Sequence, residues 1–219
     1  MSNITNNQVR VWDPLFRLFH WSLVLTFFIS YFTGDDENQL HIYAGYAVLG
    51  LIIFRLIWGI IGSKHARFSD FLASPGKVIE YLKSLVSGKP KHYLGHNPAG
   101  GWMVIVLLIS LYVTTISGLK LYAVEEGKGP LAGVSTDVVL ISSAYADKDE
   151  DEKEHGEGYE EHNGKDGERE GYDFWEEIHE VSSNFTLFLI FLHVAGVVVS
   201  SKLHNENLVK AMISGNKNA

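Results

Sequence analysis

The sequence predicts an all-α integral membrane protein. The expected architecture is a four-helix bundle with cytoplasmic N- and C-termini, an amphipathic helix on the inner surface and an acidic periplasmic loop. Three observations carry this prediction. Four apolar runs, at about 14–33, 40–61, 101–122 and 178–201, each reach the length of about 20 residues that an α-helix needs to cross a bilayer. Charge is segregated: residues 123–177 hold 18 acids against 5 bases, so the net charge of −8 hides a remainder close to +5. Cysteine is absent, which excludes disulfides, thiolate-held metals, iron–sulfur clusters and thioether-attached cofactors. Nothing in this composition favours nucleic acid, and the 219 residues suit one domain, 1–219.

The first run contains "FRLFHWSLVLTFFISYF". It is long, is preceded by only Arg10 and Arg17, and lacks a small-residue cleavage site, so it reads as an uncleaved signal-anchor. The short "GDDENQ" makes runs one and two antiparallel neighbours and holds no Lys or Arg. The next connection, residues 63–100, holds Lys64, Arg67, Lys77, Lys83, Lys89 and Lys91. Positive charge marks the cytoplasmic side, and Lys202, Lys210 and Lys217 after run four agree. Within that connection, Ser69 and Pro75 signal helix starts, and Val78, Ile79, Leu82 and Leu85 follow at helical spacing. An amphipathic helix on the inner surface fits this pattern, and so does a packed connector.

The connection before run four is then periplasmic. Its acidic insert, about 147–171, is Gly-rich and poor in aliphatic residues, which predicts loose order. His155 and His162 raise metal binding there, against the plainer reading of a solvated acidic loop. The preceding "LAGVSTDVVLISSAYA" is apolar but too short to span.

Four histidines fall within the runs or at their edges: His20, His41, His179 and His193. An imidazole in hydrocarbon is costly unless the protein engages it. His179 and His193 are 14 apart, about 21 Å along a helix and about 40° around it, so they share a face at opposite membrane levels. With the predicted orientation His179 is outer and His193 inner, His20 lies about 9 Å from the inner end of helix one, and His41 opens helix two at the outer side. The levels therefore pair His20 with His193 and His41 with His179. Two imidazoles at one depth, repeated at a second depth, suit a planar cofactor with two axial positions, and haem also fills a bundle interior. Isolated zinc fits less well, since each level lacks a carboxylate or thiolate to complete a tetrahedron. Arg55, 14 after His41, falls at the inner level, where it pairs with a haem propionate or snorkels to headgroups. Gly45, Gly50 and Gly196 would admit a flat ring or simply serve helix packing.

The segments "VWDPLFRLFHW", "HIYAGYAVLGLIIFRLIWG", "YLGHNPAGGW", "LYAVEEGKGPLAG" and "FWEEIHEVSSNFTLFLIFLHVAGVVVSSKLHNENLVKAMISG" resemble the bacterial cytochrome b561 family. That family includes the b-type cytochrome subunit of nickel–iron hydrogenases. The resemblance covers nearly the whole chain outside the acidic insert. It implies that His20, His41, His179 and His193 are axial ligands to two non-covalent b haems in the bacterial inner membrane. It also implies electron exchange between a quinone pool and a periplasmic or membrane-attached redox partner, such as a hydrogenase-like enzyme or a c-type cytochrome.

A metal-ion transporter using membrane histidines is the competing class; it predicts polar or carboxylate residues lining helices two to four, whereas helix three offers only hydroxyls and Lys120. A haem-containing anchor for a peripheral enzyme differs from the first reading only in what binds outside. His204 is 11 after His193 but sits in polar "HNENLVK", hence at the surface; His65, His92 and His96 belong to the inner connection.

Overall fold

The computed structural model describes residues 8–34, 39–88, 90–134 and 160–218. Its elements are strand β1 (Gln8–Arg10), helices α1 (Pro14–Phe32) and α2 (Gln39–Ile61), a 3₁₀ turn (Lys64–Ala66), and α3 (Phe68–Phe71). There follow α4 (Pro75–Val86), α5 (Pro98–Glu126), α6 (Glu160–Leu203), α7 (Leu208–Ser214) and strand β2 (Asn216–Asn218). Among the described residues four helices are long and apolar enough to cross a membrane: α1, α2, α5 and residues Gly171–Leu203 of α6. Large apolar side chains such as Leu18, Leu25, Ile60 and Phe191 point outward. That inversion of a soluble fold is expected where the surroundings are lipid.

The chain divides into two compact units. The first holds residues 1–112 and 183–219. Within it α1, α2, α5 and α6 share a core of Phe27, Val48, Ile52 and Leu111, lined by Leu23, Phe28, Tyr31, Leu187 and Ile190. A second cluster, Val11, Trp12, Phe16 and Ala66 with Trp58 and Met212, packs where α1 begins. There Asp13 caps α1: its Oδ1 accepts from the Phe16 N–H at 2.8 Å, and Pro14 opens the helix without a donor to satisfy. Its Oδ2 accepts from Ser63 Oγ at 2.5 Å and Trp58 Nε1 at 3.3 Å, tying the start of α1 to the end of α2.

Burial alone would raise the Asp13 pKa, but the bonds from Ser63, Phe16 and Trp58 outweigh it and hold the carboxyl below its ordinary value. A carboxyl depressed on folding stabilises above its unfolded pKa and loses that contribution as pH falls through its folded one. Asp13→Ala is therefore expected to lower stability by about 0.5–2 kcal/mol at neutral pH. The difference should vanish in strong acid, as thermal melts of the two proteins across pH would record.

The two ends of the first unit are joined. β1 pairs antiparallel with β2, Val9 opposite Lys217. Gly215 closes α7 at φ 87°, and its carbonyl accepts from the Val11 and Trp12 N–H groups. A Cβ at Gly215 would stand 2.7 Å from the Trp12 carbonyl oxygen, so only glycine fits. The segment before α1 and the segment after α7 therefore lie side by side.

α4 is amphipathic as expected. Tyr81 is buried, while Ile79, Leu82 and Val86 remain exposed on one side. A packed connector would have buried that stripe. The indole N–H of Trp102 donates to the Ala73 carbonyl at 2.8 Å and anchors the approach to α4.

The second unit holds residues 113–182, the last turns of α5 and the first of α6. Thr115, Ser117, Leu119 and Lys120 are buried there, and Lys120 Nζ donates to the Val134 carbonyl at 2.9 Å. Three boundaries differ from expectation. α5 runs from Pro98 to Glu126, beyond both ends of the predicted 101–122. α6 begins at Glu160, not near 178, so the part of the acidic insert from 160 to 171 is helix. Extending an existing helix avoids the unfavourable nucleation step, which lets even a Gly-rich segment follow a long apolar span. The terminal ribbon and α7 were not anticipated. The rest of the insert with His155, the apolar segment from residue 135 onward, and the His162 side chain lie outside the described residues.

Candidate functional site

His41 stands in the first turn of α2, beside the last turn of α1. The Ser30 carbonyl there, which also accepts from the Thr33 N–H that caps α1, lies 2.8 Å from His41 Nδ1. A carbonyl only accepts, so Nδ1 carries the hydrogen. In a neutral ring that makes Nε2 the basic nitrogen.

His179 on α6 repeats the arrangement in the second unit. Its Nδ1 lies 2.9 Å from the Thr114 carbonyl on α5 and 3.3 Å from Ser117 Oγ. Again Nε2 carries the lone pair. Close approach to α5 depends on Gly118, where a Cβ would stand 2.7 Å from His179 Cε1 and 3.0 Å from Nδ1.

His20 and His193 both belong to the first unit and are half-buried there. They differ from the other two histidines in their support. His20 Nδ1 is enclosed with no hydrogen-bond partner among the described residues, and its ring meets Trp21 edge-on at 5.2 Å. His20 and His193 are thus described within one unit, whereas His41 and His179 are described each within its own unit.

Arg55 does not snorkel. It is 1% exposed, with its guanidinium carbon 4.6 Å above the Phe68 ring, 5.3 Å from Phe16 and 5.7 Å from Phe71. Both terminal nitrogens are buried without a hydrogen-bond partner among the described residues. Such an arrangement is unfavourable in a low-dielectric interior unless an acceptor reaches the charge. Phe16 and Phe71 also wall His96, which lies 4.6 Å from Phe71 and 4.9 Å from Trp12 between ring centroids. Burial pushes the His96 pKa down to about 3, and the charges of Arg55 and His193 act in the same direction, so this imidazole is neutral. The sequence left His96 without a defined role; its place beside Arg55 is a finding of the fold.

The remaining histidines take other parts. His65 pairs with Asp70 at 3.0 Å, and His92 meets Glu206 at 3.3 Å. His204 lies just beyond α6 with its ring 5.3 Å from that of His92; it is partly buried, not a free surface group. Among the described residues no three His, Asp or Glu side chains cluster as a metal-ion site would require. At Gly45, Gly50 and Gly196 an added Cβ would meet no atom within 4 Å, so tight packing between helices does not account for these glycines.

A family model described as "Prokaryotic cytochrome b561" matches residues 11–215. Curated relatives include a "Probable Ni/Fe-hydrogenase B-type cytochrome subunit" from Azotobacter chroococcum mcd 1, 28% identical over 171 residues, covering 59% of this chain and 70% of the relative. The protein of the same name from Azotobacter vinelandii is 27% identical with the same coverage. That from Rhizobium leguminosarum bv. viciae is 24% identical over 159 residues, 58% of this chain and 64% of the relative. No solved structure matches the chain significantly.

Proposed function

The chain belongs to the prokaryotic cytochrome b561 family, a membrane electron-transfer cytochrome carrying b-type haem, and from that premise we propose a two-haem electron conductor. Haem iron, cycling between its ferric and ferrous states, supplies the one-electron chemistry. His20 and His193 would hold one haem, and His41 and His179 the other. Two imidazoles at each level would hold the iron, and a fully coordinated iron would favour electron transfer over oxygen binding.

The observation that carries this reading is the pair of Nδ1–H bonds to backbone carbonyls, at Ser30 for His41 and at Thr114 for His179. Metal-bound histidines characteristically donate the other ring N–H in this way, which fixes the tautomer, aims the ring and raises the basicity of the ligating nitrogen. The shared depth of His20 and His193 by helical rise, with both in the first unit, supports the second couple. Arg55 supplies a buried cation with two unbonded donors, suited to a propionate carboxylate at the His20–His193 level. Open space at Gly45, Gly50 and Gly196 would let a flat macrocycle lie against the backbone.

The relatives carry a hydrogenase name. By extension this chain would pass electrons between a quinone pool and a redox enzyme or c-type cytochrome on the periplasmic side. The loops bearing Lys64, Arg67 and Lys77 would then face the cytoplasm. The acid-rich connection between α5 and α6 would steer a basic partner at low salt. The test of the core reading is a visible spectrum of the dithionite-reduced protein with a pyridine haemochrome count. Two b haems per chain are expected; a colourless protein that binds zinc would sink the reading.

A further inference from the structure

Thr186 on α6 is 0% exposed and Ser110 on α5 only 7%. Their hydroxyl oxygens lie 2.6 Å apart although the residues are 76 apart in the chain. Both sit in the apolar interior of the first unit, next to core residues Leu111 and Leu187. Their level is set by α6. Thr186 is seven residues from His179 and seven from His193, about 10.5 Å along the axis from each. Seven residues also return it to within about 20° of the face that carries both histidines. The hydroxyl pair therefore stands midway between the two histidine levels, on the side of α6 that presents them.

Helix adhesion is a weak reason for it. Interhelical polar contacts in membrane proteins contribute little on average, and replacing both hydroxyls by apolar groups of the same shape is close to neutral. An oriented O–H dipole in a low-dielectric interior, by contrast, acts on charge at this range with little screening. A dipole lying between two redox sites favours the electron at one and disfavours it at the other. What it changes most is the separation of their potentials.

Resting on the two-haem reading, we propose that Ser110 and Thr186 are positioning residues that couple the two haems. They hold α5 against α6 midway between the two histidine levels, and they would set how one electron is shared between the two haems.

Thr186→Val keeps the side-chain shape and removes the hydroxyl. In spectroelectrochemical titration of the purified holoprotein it is expected to retain both haems. The equilibrium for sharing one electron should change at least threefold, about 30 mV at 59 mV per tenfold. Thr186→Ser should restore the wild-type separation, and Ser110→Ala should change it by a similar factor if the valine variant fails to fold. Two bound haems with an unchanged separation in Thr186→Val or Ser110→Ala would overturn the inference alone, whatever happens to thermal stability. A serine variant as altered as the valine one would do the same. A wild-type protein with a single haem would overturn the two-haem reading and this inference with it.

Discussion

His20→Ala and His193→Ala are expected to remove the same haem, and His41→Ala and His179→Ala the other. Each single variant should retain about one haem per chain by pyridine haemochrome count, and the reduced spectra should be superimposable within each couple. The argument is one of depth. His179 and His193 are separated by 14 residues of one continuous helix, about 21 Å. No single iron spans that distance, so each of these histidines needs a partner from another helix at its own level. By helical rise and chain direction His20 falls at the level of His193, which leaves His41 for His179. The decisive comparison is between double variants. His20→Ala with His193→Ala should still bind one haem, because both changes fall on one iron. His20→Ala with His41→Ala should bind none. A double variant of His20 and His41 that keeps a haem would show that these two share an iron, and the assignment of levels would fall. Free imidazole added to the single variants should partly restore the lost band, which separates a missing ligand from a collapsed fold.

Much of this was legible in the residues, and the reasons differ from element to element. The spans α1, α2 and α5 were plain because bilayer thickness imposes a length that few soluble helices reach. The proposed pairing of His20 with His193 rests on helical rise and chain direction. Arg55 was left open between headgroup and interior, because an arginine near a span end looks the same in either case; the walls of Phe16, Phe68 and Phe71 decide it. The start of α6 was misread because acidic Gly-rich composition reports weak local preference and is silent about a helix already propagating beside it. The β1–β2 ribbon was invisible for another reason. "QVR" and "NKN" carry no alternation to read, and their pairing joins opposite ends of the chain by backbone bonds alone. The carbonyl partners of His41 and His179 left no trace either, since every residue has a carbonyl. Gly118 did leave one: a glycine inside an apolar helix, at a site where a close neighbour needs the space.

Gly118→Val is expected to weaken binding of the haem assigned to His41 and His179 and to spare the other. A Cβ at this position would stand 2.7 Å from His179 Cε1, closer than carbon atoms pack, so the ring must move. It cannot move freely, because its Nδ1–H is held by the Thr114 carbonyl, one turn away on the same helix as Gly118. Relieving the clash therefore lengthens that bond, turns the ring and re-aims Nε2. Forcing extra carbon into a packed interior usually costs about 1–3 kcal/mol. If most of this falls on the bound state, haem affinity drops about 5- to 150-fold. The haemochrome count should fall from two toward one during purification, and the surviving spectrum should match that of His179→Ala. Gly118→Ala should give a milder form of the same loss. Gly171→Ala is the control: it lies on α6, where an added Cβ meets nothing within 4 Å, and it should leave both haems in place. Equal loss of both haems in Gly118→Val would mean a general weakening of the fold. Full retention of both would mean that the His179 ring has no need of the carbonyl that aims it.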